Sequence, residues 1–158
     1  MNTSNVALEQ NVRHKIAESL AHFLADTYVL YVKSQNFHWN ITDPRFYALH
    51  KFFEEQYENL ADAVDEIAER IRALQHKAPG TMKEFLDLTC LEEGESSLSG
   101  DRMIEQLIQD HESIANHLRP WIPETQKMKD EGTADLFIAR LRFHEKSAWM
   151  LRSHFQER

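Results

Sequence analysis

Apolar positions recur at helical spacing in four long stretches of this 158-residue chain. The first runs from about Val6 to Phe37, with Ile16, Leu20, Phe23, Leu24, Thr27, Leu30 and Tyr31 tracing one face. Asn40-Ile41-Thr42-Asp43-Pro44 then reads as a turn, in which Asp43 can cap and Pro44 can take the first helical position, where a missing N–H costs nothing. The second helix is expected to run to about Gln75, before Ala78-Pro79-Gly80. Thr81 to Leu88 reads as a short helix inside a connection, and the Glu-, Gly- and Ser-rich segment Glu92 to Gly100 as a loop. A third helix spans about Asp101 to Lys127, with Pro120 and Pro123 expected to kink or interrupt it. Gly132 and Thr133 open the fourth, which ends near Phe155. Four long helices with a small one in the middle connection predict an all-α, four-helix bundle forming a single domain over residues 1–158.

Composition narrows the classes without choosing a function. Four Gly and four Pro are few for this length and disfavour a turn-rich β fold. No apolar run approaches the roughly 20 residues of a membrane helix. The first ten residues lack the basic flank and apolar core of a signal peptide, and the single Cys90 fits a reducing cytoplasm. A net charge of −8 disfavours a phosphate-binding surface and suits cations.

Candidate chemistry lies on the second helix. His50 and Glu54 are four residues apart, as are Asp65 and Glu69, so each pair shares a face. Glu54 to Asp65 is 11 residues, a net rotation of only about 20° at 3.6 residues per turn. All four therefore form one stripe. An acidic, solvated face would give the same carboxylate pairs. His38, at the end of the first helix, points to metal instead, because a returning antiparallel helix brings it close to His50. Imidazole and carboxylate together suit Fe(II).

Spacing then imposes a condition. Asp65 lies 15 residues beyond His50, about 22 Å along the axis at 1.5 Å per residue. With metal–ligand bonds of about 2 Å, the two pairs cannot hold one ion within one chain. A two-fold axis crossing the helix near Leu60 would set His50 and Glu54 of one copy against Asp65 and Glu69 of another. The Glu-x-x-His motif of an intrasubunit di-iron site occurs nowhere in the chain.

Asp26-Thr27-Tyr28-Val29-Leu30-Tyr31 followed by Asn36-Phe37-His38-Trp39-Asn40 resembles the first-helix signature of the Dps family of mini-ferritins. Leu49-His50 through Phe53-Glu54-Glu55-Gln56-Tyr57, and Ala63-Val64-Asp65-Glu66-Ile67-Ala68-Glu69-Arg70, continue the likeness. So do Ala78-Pro79-Gly80-Thr81 and His144-Glu145-Lys146-Ser147-Ala148-Trp149-Met150-Leu151-Arg152.

The resemblance implies a ferritin-like bundle assembled from dimers into a hollow dodecamer, with two irons at each inter-subunit site. Carried over by position, His38, His50 and Glu54 come from one chain, and Asp65 and Glu69 from the other. Asp65, Glu69 and His38 would hold the better-occupied iron; His50 and Glu54 would serve the weaker position. Trp39 stands where the family has a redox-active indole, a role compatible with anchoring an interface. Asp130, Glu131 and Asp135 match acidic residues that line iron-entry pores. The implied reaction oxidises Fe(II) with hydrogen peroxide and stores ferric mineral, protecting against oxidative stress. The alternative is a nucleoid-associated protein with a secondary iron site. The absence of lysine before Lys15 and the net charge lead us to expect weak or absent DNA binding at neutral pH. The seven remaining histidines, His14, His22, His76, His111, His117, His144 and His154, read as surface or interface residues.

Overall fold

The structure, a computed structural model, describes residues 6–155. Its elements are α1 (Gln10–Asn40), α2 (Phe46–Ala73), α3 (Met82–Leu88), α4 (Gly100–Lys127) and α5 (Glu131–Arg152). The residues outside this range include part of the lysine-free amino-terminal segment and Arg158, so the expectation about DNA that leans on them lies beyond the described residues.

Ion pairs between helix ends give the topology. Lys15 at the start of α1 reaches Glu124 at the end of α4, 3.9 Å away, so these two helices run antiparallel. Arg45, at the start of α2, bonds Asp101 at the start of α4 at 2.6 Å, so α2 and α4 run the same way. Arg70, near the end of α2, bonds Asp130 at the start of α5 at 2.6 Å, so these two are antiparallel. The connection carrying α3 must therefore return along the length of the bundle, which is why it is long. α3 uses that passage to lay Phe85 onto α1, stacked on Tyr28.

Several helix ends differ from the sequence reading for identifiable reasons. α1 starts at Gln10, four residues later than expected, and continues through His38, Trp39 and Asn40. Asp43 caps a preliminary turn: its Oδ1 accepts from the Arg45 N–H and its carbonyl accepts from the Phe46 N–H. α2 ends before Pro79 because Gln75 adopts a left-handed backbone, φ 66°, with His76 N–H returning to the Ile71 carbonyl and Gln75 N–H to that of Arg72. Lys129, φ 63°, ends α4 in the same manner through Asp130 N–H to Thr125 and Lys129 N–H to Gln126. Pro120 and Pro123 do not interrupt α4, contrary to one of the two outcomes expected of them. Both face outward, so the carbonyls their rings leave without donors, Asn116 and Arg119, are open to water on an exposed surface.

The core comprises Ile16, Leu20, Phe23 and Leu30 of α1 against Leu49, Phe53, Leu60 and Ile67 of α2, closed by Ile104, Leu107, Ile114 and Phe137. Each such side chain contributes roughly 1.5–3 kcal/mol on full burial. Phe37 and Phe53, both wholly buried, fix the rotation of α1 and α2 about their axes. That rotation places His38 and Glu54, the next residues along, at the edge of the hydrophobic seam. Lys33 and Asp110 make a buried ion pair of 2.8 Å between α1 and α4.

Two of the histidines expected at a surface are in the core. His111 of α4 and His144 of α5 have no exposed area and share an Nδ1···Nδ1 hydrogen bond of 2.9 Å. One ring must donate and the other accept, so at least one Nδ1 is unprotonated. Burial lowers the His111 pKa to about 3, with the Arg140 charge adding to the effect, and pushes His144 well below its ordinary range. Apolar spacing alone hid them because a neutral pair, edge-on to Phe23 and Phe143, packs like any other aromatic group.

Candidate metal centre

His38 and His50 meet across the α1–α2 hairpin with rings stacked at 3.8 Å and 14° between planes. Their Nδ1 atoms are crossed over: His38 Nδ1 lies 2.7 Å from the His50 carbonyl, and His50 Nδ1 lies 2.8 Å from the His38 carbonyl. A carbonyl only accepts, so each Nδ1 carries the proton. In the neutral ring Nε2 then holds the lone pair. The hairpin thus sets both tautomers by backbone hydrogen bonds and leaves two Nε2 lone pairs that could serve a cation. Phe46, one turn before His50, stacks on its ring at 5.0 Å and limits rotation.

Glu54 lies one turn beyond His50 and is half-buried. Lys51 Nζ bonds its Oε2 at 2.6 Å. That ammonium, with the positive influence of His38 and His50 behind it, holds the Glu54 carboxyl below the usual carboxylate range against the opposing effect of desolvation. Lys51 is therefore a competitor for the same oxygens that a cation would use. Spacing did not reveal it, although an i,i+3 lysine is legible in hindsight.

Asp65 and Glu69 are exposed on the distal part of α2, without an ion-pair partner among the described residues. The chain stacks His38 on His50, sets Glu54 one turn further along α2, and leaves Asp65 and Glu69 well apart from them. Among the described residues, no three His, Cys, Asp or Glu side chains gather into a cage for one ion. What one chain offers is an imidazole-rich group at the α1–α2 hairpin and a separate carboxylate pair further along α2, two candidate half-sites.

The remaining candidates fall into different settings. Trp39 is 66% exposed beside His38. Glu131 and Asp135 are exposed on the first turns of α5. Asp130 is not available in the same way: it is 3% exposed, caps α5 through the Thr133 N–H and hydroxyl, and takes the Arg70 guanidinium. Tyr57, which the spacing argument passed over, has its ring edge-on to His38 at 5.2 Å. It lies seven residues beyond His50 and three beyond Glu54, an offset that puts it on their side of the helix.

A four-helix bundle with a long middle connection is the architecture of a ferritin-like protein, and residues 17–158 match the ferritin-like domain family. The chain is 37% identical over 143 residues to DNA protection during starvation protein 2 of Bacillus anthracis, covering 90% of this chain and 98% of that one. It is 38% identical over 154 residues to a low temperature-induced protein of Nostoc sp. (strain PCC 7120), covering 96% and 86%. The crystal structure of the Dps protein of Vibrio cholerae O1, described as one of the ferritin-like diiron-carboxylate proteins, superposes with a TM-score of 0.92 at 29% identity, covering 99% of this chain and 98% of that one. This chain belongs to the Dps family of ferritin-like proteins.

Proposed function

We propose that the protein is a ferroxidase and iron store whose di-iron sites form between two subunits of a hollow dodecamer. The observation that carries this is the crossed His38–His50 pair across the α1–α2 hairpin, with both Nδ1 protons fixed, and a carboxylate pair further along α2 that it cannot reach. Two copies related by a two-fold axis near Leu60 would join each imidazole half-site to the other copy's Asp65 and Glu69. The donor set of two imidazoles and three carboxylates suits iron in both oxidation states, since carboxylates favour the ferric product.

In this reading the substrates are two Fe(II) ions and hydrogen peroxide. Each ion gives one electron, the O–O bond breaks, and two protons from solvent complete two waters. His38 with Asp65 and Glu69 of the neighbouring copy would bind the first ion. His50 and Glu54 would bind the second, more weakly, because Lys51 must leave Glu54 first. Ferric product passes to an acidic cavity and is stored there as mineral, which limits oxidative damage. Glu131 and Asp135 are the pore candidates that remain open to solvent, and Asp130 acts in their support by fixing the start of α5. A cytoplasmic location belongs to the same reading, supported by Cys90 as a free thiol that suits a reducing compartment.

Anaerobic Fe(II) titration followed by peroxide, with particle size measured on the same sample, tests the proposal. It predicts two Fe(II) per subunit, rapid conversion to Fe(III), and a particle of twelve chains; Asp65→Ala should lose the conversion while keeping the particle. A monomer, or a shell that leaves Fe(II) unoxidised, would overturn it. Retardation of DNA at neutral pH and physiological salt would favour a nucleoid role, which the net charge of −8 opposes.

A further inference from the structure

Three of the chain's four tyrosines form a continuous series of ring contacts leading away from the imidazole half-site. From His38 the series passes to Tyr57 at 5.2 Å, to Tyr31 at 6.2 Å and to Tyr28 at 5.8 Å, each contact edge-to-face. Tyr28 then stacks on Phe85 of α3 at 4.4 Å and lines an apolar groove of about 290 Å³ that opens to the surface. The three tyrosines are half-buried and lie on two helices, so the series follows from the α1–α2 packing and not from one helical repeat. Phenylalanine would fill the same space without a hydroxyl to satisfy. Phenol adds one property that phenylalanine lacks, which is ready loss of an electron together with a proton. Exposed Trp39 takes no part in the series.

We infer that Tyr57, Tyr31 and Tyr28 are a relay that draws a single oxidising equivalent away from the half-filled iron site and delivers it to the groove beside α3. The inference rests on the ferroxidase reading and adds a path to it. Its need arises from the inequality of the two metal positions. Lys51 occupies Glu54, whereas Asp65 and Glu69 have no ion-pair partner among the described residues, so the site spends time with one Fe(II). Peroxide accepts two electrons and one Fe(II) supplies one. A second electron from Tyr57 lets both oxygens leave as water. Of the four hydrogens in two waters, two come from the peroxide, one from the phenol and one from solvent. What is left is Fe(III) and a neutral tyrosyl radical in place of free hydroxyl radical. Tyr57 regains an electron from Tyr31, and Tyr31 from Tyr28, each half-buried phenol exchanging its proton with solvent, which leaves the radical at the groove. Tyr31 is oriented within the series by Gln35, whose Nε2 donates to its oxygen at 3.1 Å.

The test uses the assembled protein, loaded anaerobically with one Fe(II) per site, mixed with one equivalent of peroxide and frozen for electron paramagnetic resonance. Ring-deuterated tyrosine assigns the signal. A tyrosyl radical is expected in the wild type and in Tyr47→Phe, whose ring lies outside the series. Tyr57→Phe, which keeps the packing, should bind Fe(II) as before, lose the tyrosyl signal and release more spin-trapped hydroxyl radical. Iron bound and oxidised with no tyrosyl signal, or a signal that survives Tyr57→Phe, would overturn the relay. Failure to bind Fe(II) before peroxide is added would bring down the ferroxidase reading itself, and the relay with it.

Discussion

At the scale of single residues, backbone carbonyls set the orientation of the two candidate ligands. His38 and His50 are each held by the carbonyl of the other, so the two rings cannot be reoriented independently. The His111–His144 pair shows the same side chain in the opposite role. Both rings are buried and neutral, and both pKa values are lowered in the folded chain. The unfolded chain therefore binds more protons as the pH falls below the ordinary histidine value of 6.5. Stability contributed by the neutral pair is fully present above that value and is lost progressively as the pH drops toward about 3. If both rings protonate on unfolding, the slope approaches about 3 kcal/mol per pH unit. Urea unfolding of the subunit at pH 7.5, 6.5 and 5.5 should show a falling midpoint across the lower interval, and a His111→Leu, His144→Leu double variant should flatten that dependence.

At the scale of elements, the two left-handed terminations deserve comparison with glycine. Lys129 carries a Cβ at φ 63°, where an L residue pays a conformational cost that glycine avoids. Lys129→Gly should therefore stabilise the chain by about 0.5–1 kcal/mol, read as a higher melting temperature in calorimetry without change in helical content. Gly100 is needed for another reason: a Cβ there would collide with the Asp43 carboxylate, which holds the Arg45 guanidinium that bonds Asp101 at the start of α4. The helices themselves were readable from apolar spacing, since α3 and α4 begin and end within a residue of expectation. Their exact ends were less so. Asp43 caps a turn instead of the helix, and Gln75, not Pro79-Gly80, stops α2, because a left-handed cap made at a conformational cost by a residue other than glycine leaves no mark in the sequence. The stripe of His50, Glu54, Asp65 and Glu69 was legible because helical rotation is fixed per residue. Tyr57 and Lys51 were not singled out, since their importance depends on ring and ion contacts that periodicity does not express.

At the scale of the whole molecule, α2 is a rigid ruler. The 15 residues between His50 and Asp65 keep two half-sites about 22 Å apart, so on our proposal the chemistry belongs to a pair of chains. This claim has a direct test in subunit mixing. A chain carrying His38→Ala and His50→Ala keeps its carboxylate half-site, and a chain carrying Asp65→Ala and Glu69→Ala keeps its imidazole half-site. Each alone should fail to oxidise Fe(II). Co-assembled in equal amounts, half of the dimers are mixed, and each mixed dimer has one intact site of two, so about a quarter of wild-type oxidation should return. Recovery near that level, in shells of unchanged size, is the predicted result. Two inactive variants that stay inactive in every mixture, despite forming mixed dimers, would place the site within one chain and contradict the account.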